Sequence, residues 1–277
     1  MKDLRGRNAV VTGASSGIGQ ATAIEFGREG MNVVLAARRE AEMEEAAARI
    51  RALGVKALVK KTDVSNKDDV KDLIDFAIRE LGGIDILMNN AGVVRVGEMR
   101  DLSIEEDWEW IVGINLWGPV YGCHYVLPHM IERGSGHIIN VSSGAGLLTS
   151  AGSGCYCATK FAVVGMTEVL RAEVARLGIG VTLVCPAFVK TPIFEVTKTK
   201  GLKQFDMTKA IKYWGQRPEK TAKLIVKGVK ENTGLLIPTI DGRILYAFKR
   251  FFPGLYQAMG PVVARQFGKL REEKREA

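Results

Sequence analysis

In the stretch GCYCATK, residues 154–160, a tyrosine and a lysine stand four residues apart. On a helix that spacing stacks Tyr156 and Lys160 on one face, one turn apart. A free phenol titrates near ~10, and a neighbouring ammonium favours the phenolate, which equips the pair for general acid and base work. Thirteen residues before the tyrosine, the β-branched run GHIINVSS (136–143) ends at Ser143, whose hydroxyl is available to hold a reacting oxygen. The cysteines flanking Tyr156 raise two other chemistries, a metal clip and a redox pair. At 3.6 residues per turn, however, Cys155 and Cys157 diverge by roughly 100° on either side of the tyrosine and do not converge as ligands. His124, His129 and His137 are scattered, and no second Cys/His cluster completes a four-ligand set. No metal is expected, and the thiols read as small packing residues, one of them facing substrate.

A second chemical signal lies at TGASSGIG, residues 12–19, between an apolar run and a helical stretch. Gly13 permits a tight turn, Gly17 a close backbone approach to a diphosphate, and Gly19 tight packing of helix on strand, while the helix N-terminus offers N–H donors. The end of the next apolar run selects the nucleotide. An acidic residue there would accept from the adenosine ribose, but the sequence reads Ala36-Ala37-Arg38-Arg39. Arginine forks pair with phosphate, which favours NADP(H) over NAD(H); the alternative is that Arg38 and Arg39 merely begin a solvated helix. Asp63, closing the third run, is placed either to accept from the adenine amine or to cap the helix that follows.

These groups need a scaffold that brings strand ends together. Short apolar runs at 8–13, 32–37, 55–61, 84–90, 136–143 and 180–186 alternate with stretches of helical period at 17–29, 40–53, 66–81, 103–133 and 153–177. This alternation predicts an α/β fold: a single-domain, doubly wound parallel sheet, Rossmann-like, with helices on both faces and ligands at the carboxyl ends of the strands. A helix near 218–231 and a short strand, LLIP (235–238), close the sheet. Residues 187–215 mix Phe188, Ile193, Phe194, Phe205 and Trp214 with lysines and read as a lid. The domain accordingly spans 1–242, followed by a basic, aromatic C-terminal extension at 243–277.

Taken together, TGASSGIG, NNAG (89–92), Asn115, Ser143 and YCATK (156–160) resemble the short-chain dehydrogenase/reductase family, in its order and spacing, over about residues 8–192. The resemblance implies that Ser143 orients a substrate carbonyl and Tyr156 exchanges the proton. It implies further that Lys160 binds the nicotinamide ribose and lowers the tyrosine's pKa, and that Asn115 fixes a water in a proton relay. Family spacing favours Ser143 over Ser142. The cofactor would be lined by Gly13, Ser15, Ser16, Gly17, Ile18 and Gly19, by Arg38, Arg39, Asp63 and Val64, and by Asn90, Ala91 and Gly92 near its adenine-side ribose. Pro186, Val189 and Thr191 would hold the nicotinamide end, with Tyr156 and Lys160. One departure is Pro186-Ala187 where the family commonly has Pro-Gly, so that a β-carbon could narrow the nicotinamide pocket or alter the lid. A homotetramer or homodimer across the helices at 103–133 and 153–177 is also implied.

Charge and composition bound the rest. The 277 residues carry a net charge of +8 with 47% hydrophobic residues, an ordinary globular balance. Residues 1–197 hold 21 Lys+Arg against 24 Asp+Glu, whereas residues 198–277 hold 18 against 7. Without a signal or spanning run, and with four cysteines reading as reduced thiols, the expected compartment is cytoplasmic. Leu147, Leu148, Val93, Val94 and the lid aromatics suggest an apolar entrance, with Arg95 the nearest charge for an acidic substrate group. The tail ILYAFKRFFPGLYQAMGPVVARQF (244–267) suits three arrangements: packing on its own body or a neighbouring subunit, dipping into an anionic bilayer surface, or covering the pocket. The expected activity is NADP(H)-dependent interconversion of a ketone and a secondary alcohol on a hydrophobic steroid, retinoid or lipid-like substrate. The alternatives are a 3-oxoacyl-thioester reductase and a non-catalytic cofactor-binding regulator. Nucleic-acid binding would rest on charge alone and is not expected.

Overall fold

The computed structural model describes residues 1–194, 197–200 and 214–268. The apolar runs form β1 (Asn8–Thr12), β2 (Asn32–Ala37), β3 (Ala57–Lys61), β4 (Ile86–Asn89), β6 (Gly136–Val141), β7 (Ile179–Val184) and β9 (Leu235–Leu236). They make one sheet in the order β3-β2-β1-β4-β6-β7-β9, every neighbouring pair parallel. A parallel sheet needs crossover helices, and burial of both faces explains why its strands are continuously apolar.

Successive residues divide between the two faces. Val11, Leu35, Met88 and Ile139 pack against Phe26 of α1 (Gly17–Arg28), Ile50 of α2 (Glu40–Arg51) and Ile225 of α7 (Pro218–Lys230). Val10, Val34, Leu87 and Ile138 pack instead against Leu73 of α3 (Lys67–Leu81), Val126 of α5 (Gly118–Glu132) and Leu170 of α6 (Gly154–Val174). The doubly wound architecture is therefore as the alternation predicts.

The helical stretch at 103–133 is not uniform. Its short α4 (Trp110–Val112) is bracketed by π-turns at Ile104–Glu109 and Gly113–Trp117 before α5 begins. A π-turn inserts extra backbone into a helix and re-aims the residues it carries. Asn115 lies in the second one.

Two features have no counterpart in the periodicity. β5 (Arg95–Val96) pairs in parallel with β8 (Lys198–Thr199), which clips part of the 187–215 segment to the body. The tail forms two helices, α8 (Ile240–Phe251) and α9 (Pro253–Gly268), with Pro253 opening the second, where a missing N–H costs nothing. Phe205 and the polar end, 269–277, lie outside the described residues.

Candidate active site

β1 and β4 are neighbours in the sheet, but the chain winds outward from them in opposite directions, and a crevice opens at their carboxyl ends. The glycine-rich turn borders it. Gly13 and Gly17 adopt φ of 66° and 60°, and a β-carbon on Gly13 would lie 2.8 Å from the Ala91 Cα. One on Gly17 would lie 3.0 Å from the Thr191 Cγ2, and one on Gly19 would run into Asn90 Nδ2 and the Gly13 carbonyl. Ser16, at the N-cap of α1, makes no side-chain cap bond, leaving amides there for another acceptor. A dinucleotide diphosphate fits this cradle.

Thr12 fastens the cradle to the next strand. Its hydroxyl accepts from the amides of Asn90 (3.0 Å) and Ala91 (3.2 Å), while Asn90 Nδ2 donates to the carbonyls of Thr12 (2.9 Å) and Gly13 (3.3 Å). Sequence reasoning assigned Thr12 no role, although it opens TGASSGIG; only the pairing of β1 with β4 shows what its hydroxyl reaches. Asn90, Ala91 and Gly92 line the cleft with Ile18.

Where β2 ends, Arg39 donates to the hydroxyls of Ser15 (3.0 Å) and Ser16 (3.1 Å), and ion-pairs with Glu42 at 3.3 Å. The Arg38 side chain is 61% exposed and stands 4.0 Å from an Asp63 oxygen. All of these except Glu42 line the cleft, as does Val64. Asp63 does not cap α3: its Oδ1 accepts from the Ser65 amide and hydroxyl, and the cap is Asn66, which accepts from the Asp68 amide.

Ser143, Tyr156 and Lys160 meet where β6 ends. Ser142 is buried and donates to the Lys160 carbonyl at 2.8 Å, so its hydroxyl serves the scaffold. Ser143 lines the cleft, accepts from the Ala145 amide at 3.1 Å and shares a hydrogen bond with the Tyr156 phenol. Lys160, only 4% exposed, donates to the Val141 carbonyl at 3.2 Å, and its Nζ lies 5.8 Å from the Tyr156 ring centroid. Asn115 is fully buried, its side chain bonded at two points to the Val93 backbone (2.8 and 2.9 Å) and to Thr159 at 3.3 Å. The π-turn thus makes Asn115 a clamp on the chain leaving Gly92.

One electrostatic expectation needs correction. Burial pushes the Tyr156 phenol up to about 12, against the opposing hydrogen bond from Ser143, rather than the ammonium drawing it down. The same burial lowers Lys160 to about 8. Desolvation disfavours the charged form of each group, and in the free protein it prevails.

The other end of the cleft differs from expectation at two residues, Arg95 and Leu147. Arg95 is not available to an acidic substrate: it is 8% exposed, ion-paired to the fully buried Asp107 and stacked near Trp110. Burial would raise the Asp107 carboxyl, but the Ser103 amide, Lys200 and Arg95 together hold it below its ordinary value. Leu147 packs with Leu183 and Cys185 in the core, leaving Leu148, Val93 and Val94 on the cleft wall. The Ala187 methyl sits against Gly144 and Gly242, where added β-carbons would come within 3.3 and 3.1 Å of it. Ala187 also lines the cleft.

Pro186, Val189 and Thr191 line the same cleft, as does Cys157. All four cysteines are buried free thiols, and among the described residues no group of three or more His, Cys, Asp or Glu side chains is gathered for a metal. The cleft encloses about 1060 Å³, running from the glycine-rich turn to Thr199 of β8.

A profile of the short chain dehydrogenases matches residues 7–201. An uncharacterized oxidoreductase of Listeria innocua is 37% identical over 230 residues, covering 82% of this chain and 92% of the relative. A short-chain dehydrogenase/reductase from Burkholderia phymatum, solved in complex with NAD, superposes with a TM-score of 0.85 at 30% identity, covering 92% of this chain and 96% of that one. The apo form of LigD from a Sphingobium species gives a TM-score of 0.78 at 30% identity, covering 92% and 98%. With this fold, this cleft and these likenesses, the chain belongs to the short-chain dehydrogenase/reductase family and is an oxidoreductase of the NAD(P)-binding kind.

Proposed function

We propose that the protein is an NADP(H)-dependent oxidoreductase that interconverts a ketone and a secondary alcohol on a hydrophobic, steroid-, retinoid- or lipid-like substrate. The observation that carries this reading is the common lining of one cleft by the glycine-rich cradle, Arg38, Arg39, Ser143, Tyr156 and Lys160. The bound nicotinamide supplies hydride; the protein's own residues hold the carbonyl and move the proton.

In the reduction, Ser143 holds the carbonyl oxygen and Tyr156 donates its phenolic proton to that oxygen as the alcohol forms. A phenol at about 12 is protonated throughout the physiological range, so the donor is always loaded. The cost of leaving a phenolate in a poorly solvated site is offset by the nearby Lys160 ammonium, since opposite charges attract more strongly there than in water. Oxidation runs through the same atoms in reverse, with the phenolate accepting the alcohol proton.

The preference for NADP(H) is supported by the adenosine end. Two guanidinium groups and the hydroxyls of Ser15 and Ser16 border it, and Asp63 already has its Oδ1 occupied by Ser65. An apolar substrate is supported by Val93, Val94, Leu148 and Ile193 on the opposite wall. Exposed Phe161 and Val169 on α6, with Trp117 before α5, favour a homodimer or homotetramer across these helices.

The direct test is turnover with NADPH and with NADH against ketones differing in length, ring content and thioester character. The reading expects NADPH-driven reduction of apolar ring or chain ketones. Turnover confined to 3-oxoacyl thioesters would replace the substrate class, and no turnover with stoichiometric NADPH binding would favour a regulator.

A further inference from the structure

α8 and α9 project an apolar surface that the other described residues do not cover. Phe251 is 73% exposed, Ile240 68%, Ile244 63%, Phe252 58%, and Leu255 and Val262 57% each. From Phe251 to Arg265 every residue except Tyr256 is exposed. Ile240, Ile244 and Phe251 fall on one face of α8 at helical spacing, and large exposed apolar side chains concentrated on two adjoining helices mark an interaction site rather than ordinary solvent-facing scatter.

The charges on these helices narrow the partner. Arg243, Lys249, Arg250 and Arg265 share them with a single carboxylate, Asp241. A second copy docking through a two-fold axis would set the patch against itself and bring two surfaces of the same net positive charge together. An anionic bilayer instead offers hydrocarbon to the phenylalanines and leucine and phosphate to the cations. No helix among the described residues is long and apolar enough to cross a membrane, which leaves an interfacial position.

We infer that α8 and α9 form a docking surface for an anionic lipid bilayer. The surface is tied to the cleft by the half-buried Tyr256 and Lys249. The Tyr256 hydroxyl accepts from the Thr149 amide at 2.8 Å and donates to its carbonyl at 2.9 Å, and Lys249 Nζ donates to the Leu147 carbonyl at 2.6 Å. Leu148 and Thr149 line the cleft, so a bilayer held by α8 and α9 stands beside its rim, where an apolar substrate can pass from lipid to protein.

Vesicle sedimentation tests the docking without turnover, and so independently of the proposed activity. The full chain should partition onto phosphatidylcholine vesicles containing phosphatidylglycerol at least about tenfold better than onto phosphatidylcholine alone. Arg243→Glu with Arg250→Glu should erase that difference, and Phe251→Ser with Phe252→Ser should abolish binding, with far-UV circular dichroism unchanged. Should the phenylalanine pair fail to fold, Leu255→Ser with Val262→Ser on the outlying α9 serves the same purpose. Equal partition onto both vesicles, or none onto either, overturns the inference. So does a dimer that dissociates with the same serine substitutions while vesicles are ignored, which would make the surface a contact between copies.

Discussion

In the dinucleotide half of the cleft, Thr12, Gly13 and Asn90 are locked at the ends of adjacent strands by hydrogen bonds of 2.9 to 3.3 Å. In the substrate half, the wall residues Leu148 and Thr149 sit on a loop braced by Tyr256, 107 residues away along the chain. Val96 and Thr199 are joined there by a two-residue parallel pair. The first half is fixed by the sheet itself, because the Thr12 and Asn90 side chains bond the backbone of the neighbouring strand end and cannot exchange partners without parting β1 from β4. The second is assembled from loops and a tail, the parts of a fold that vary most freely. Such a division lets one chemistry be kept while the substrate end is reshaped.

Perturbing each half should give a different signature. In the first, Arg38→Ala with Arg39→Ala should weaken NADPH by about 10–100-fold while leaving NADH within a few-fold, as expected for loss of charged hydrogen bonds to one phosphate. Equal losses for both nucleotides, measured by fluorescence titration, would sever the arginines from phosphate recognition.

At the junction of the halves, burial lowers Lys160 to about 8 in the free protein. Its ammonium is the form that binds and stabilises, so kcat/KM for reduction should fall about tenfold per unit as pH rises beyond that value. Tyr156, protonated up to about 12, adds no limb below it. Lys160→Arg, whose charge persists, should lose this alkaline limb.

In the second half the effect is the smallest. Tyr256→Phe removes two hydrogen bonds to Thr149 and should raise the ketone KM several-fold with NADPH affinity unchanged. A change in NADPH affinity instead would mean that the tail supports the rigid half, and the contrast between the halves would fail.

The same contrast explains what the sequence discloses. The sheet is legible because strand and helix periods alternate, and the glycines are legible because positive φ and close approach leave few other residues acceptable. Ser143 and Ser142 are adjacent in sequence, and only the fold separates a hydroxyl on the cleft from one bonded to the Lys160 carbonyl. Arg95 reads as a free charge because its partner Asp107 lies 12 residues on, in a π-turn that no periodicity announces. The β5–β8 pair is too short to leave a pattern, and the prolines of the tail conceal helices, one at a helix start and one inside. The phenol's elevated pKa is the deepest omission: helical spacing shows that an amine is near, but not how much water both groups lose.

The central claim is that the Tyr156 phenol is the proton donor to the substrate oxygen. Single-turnover reduction by Tyr156→Phe, with NADPH affinity titrated on the same preparation, tests it most directly. The account predicts a rate lowered by at least about a thousandfold at nearly unchanged NADPH affinity, in keeping with the loss of general acid catalysis. Near-normal hydride transfer in that variant would contradict it.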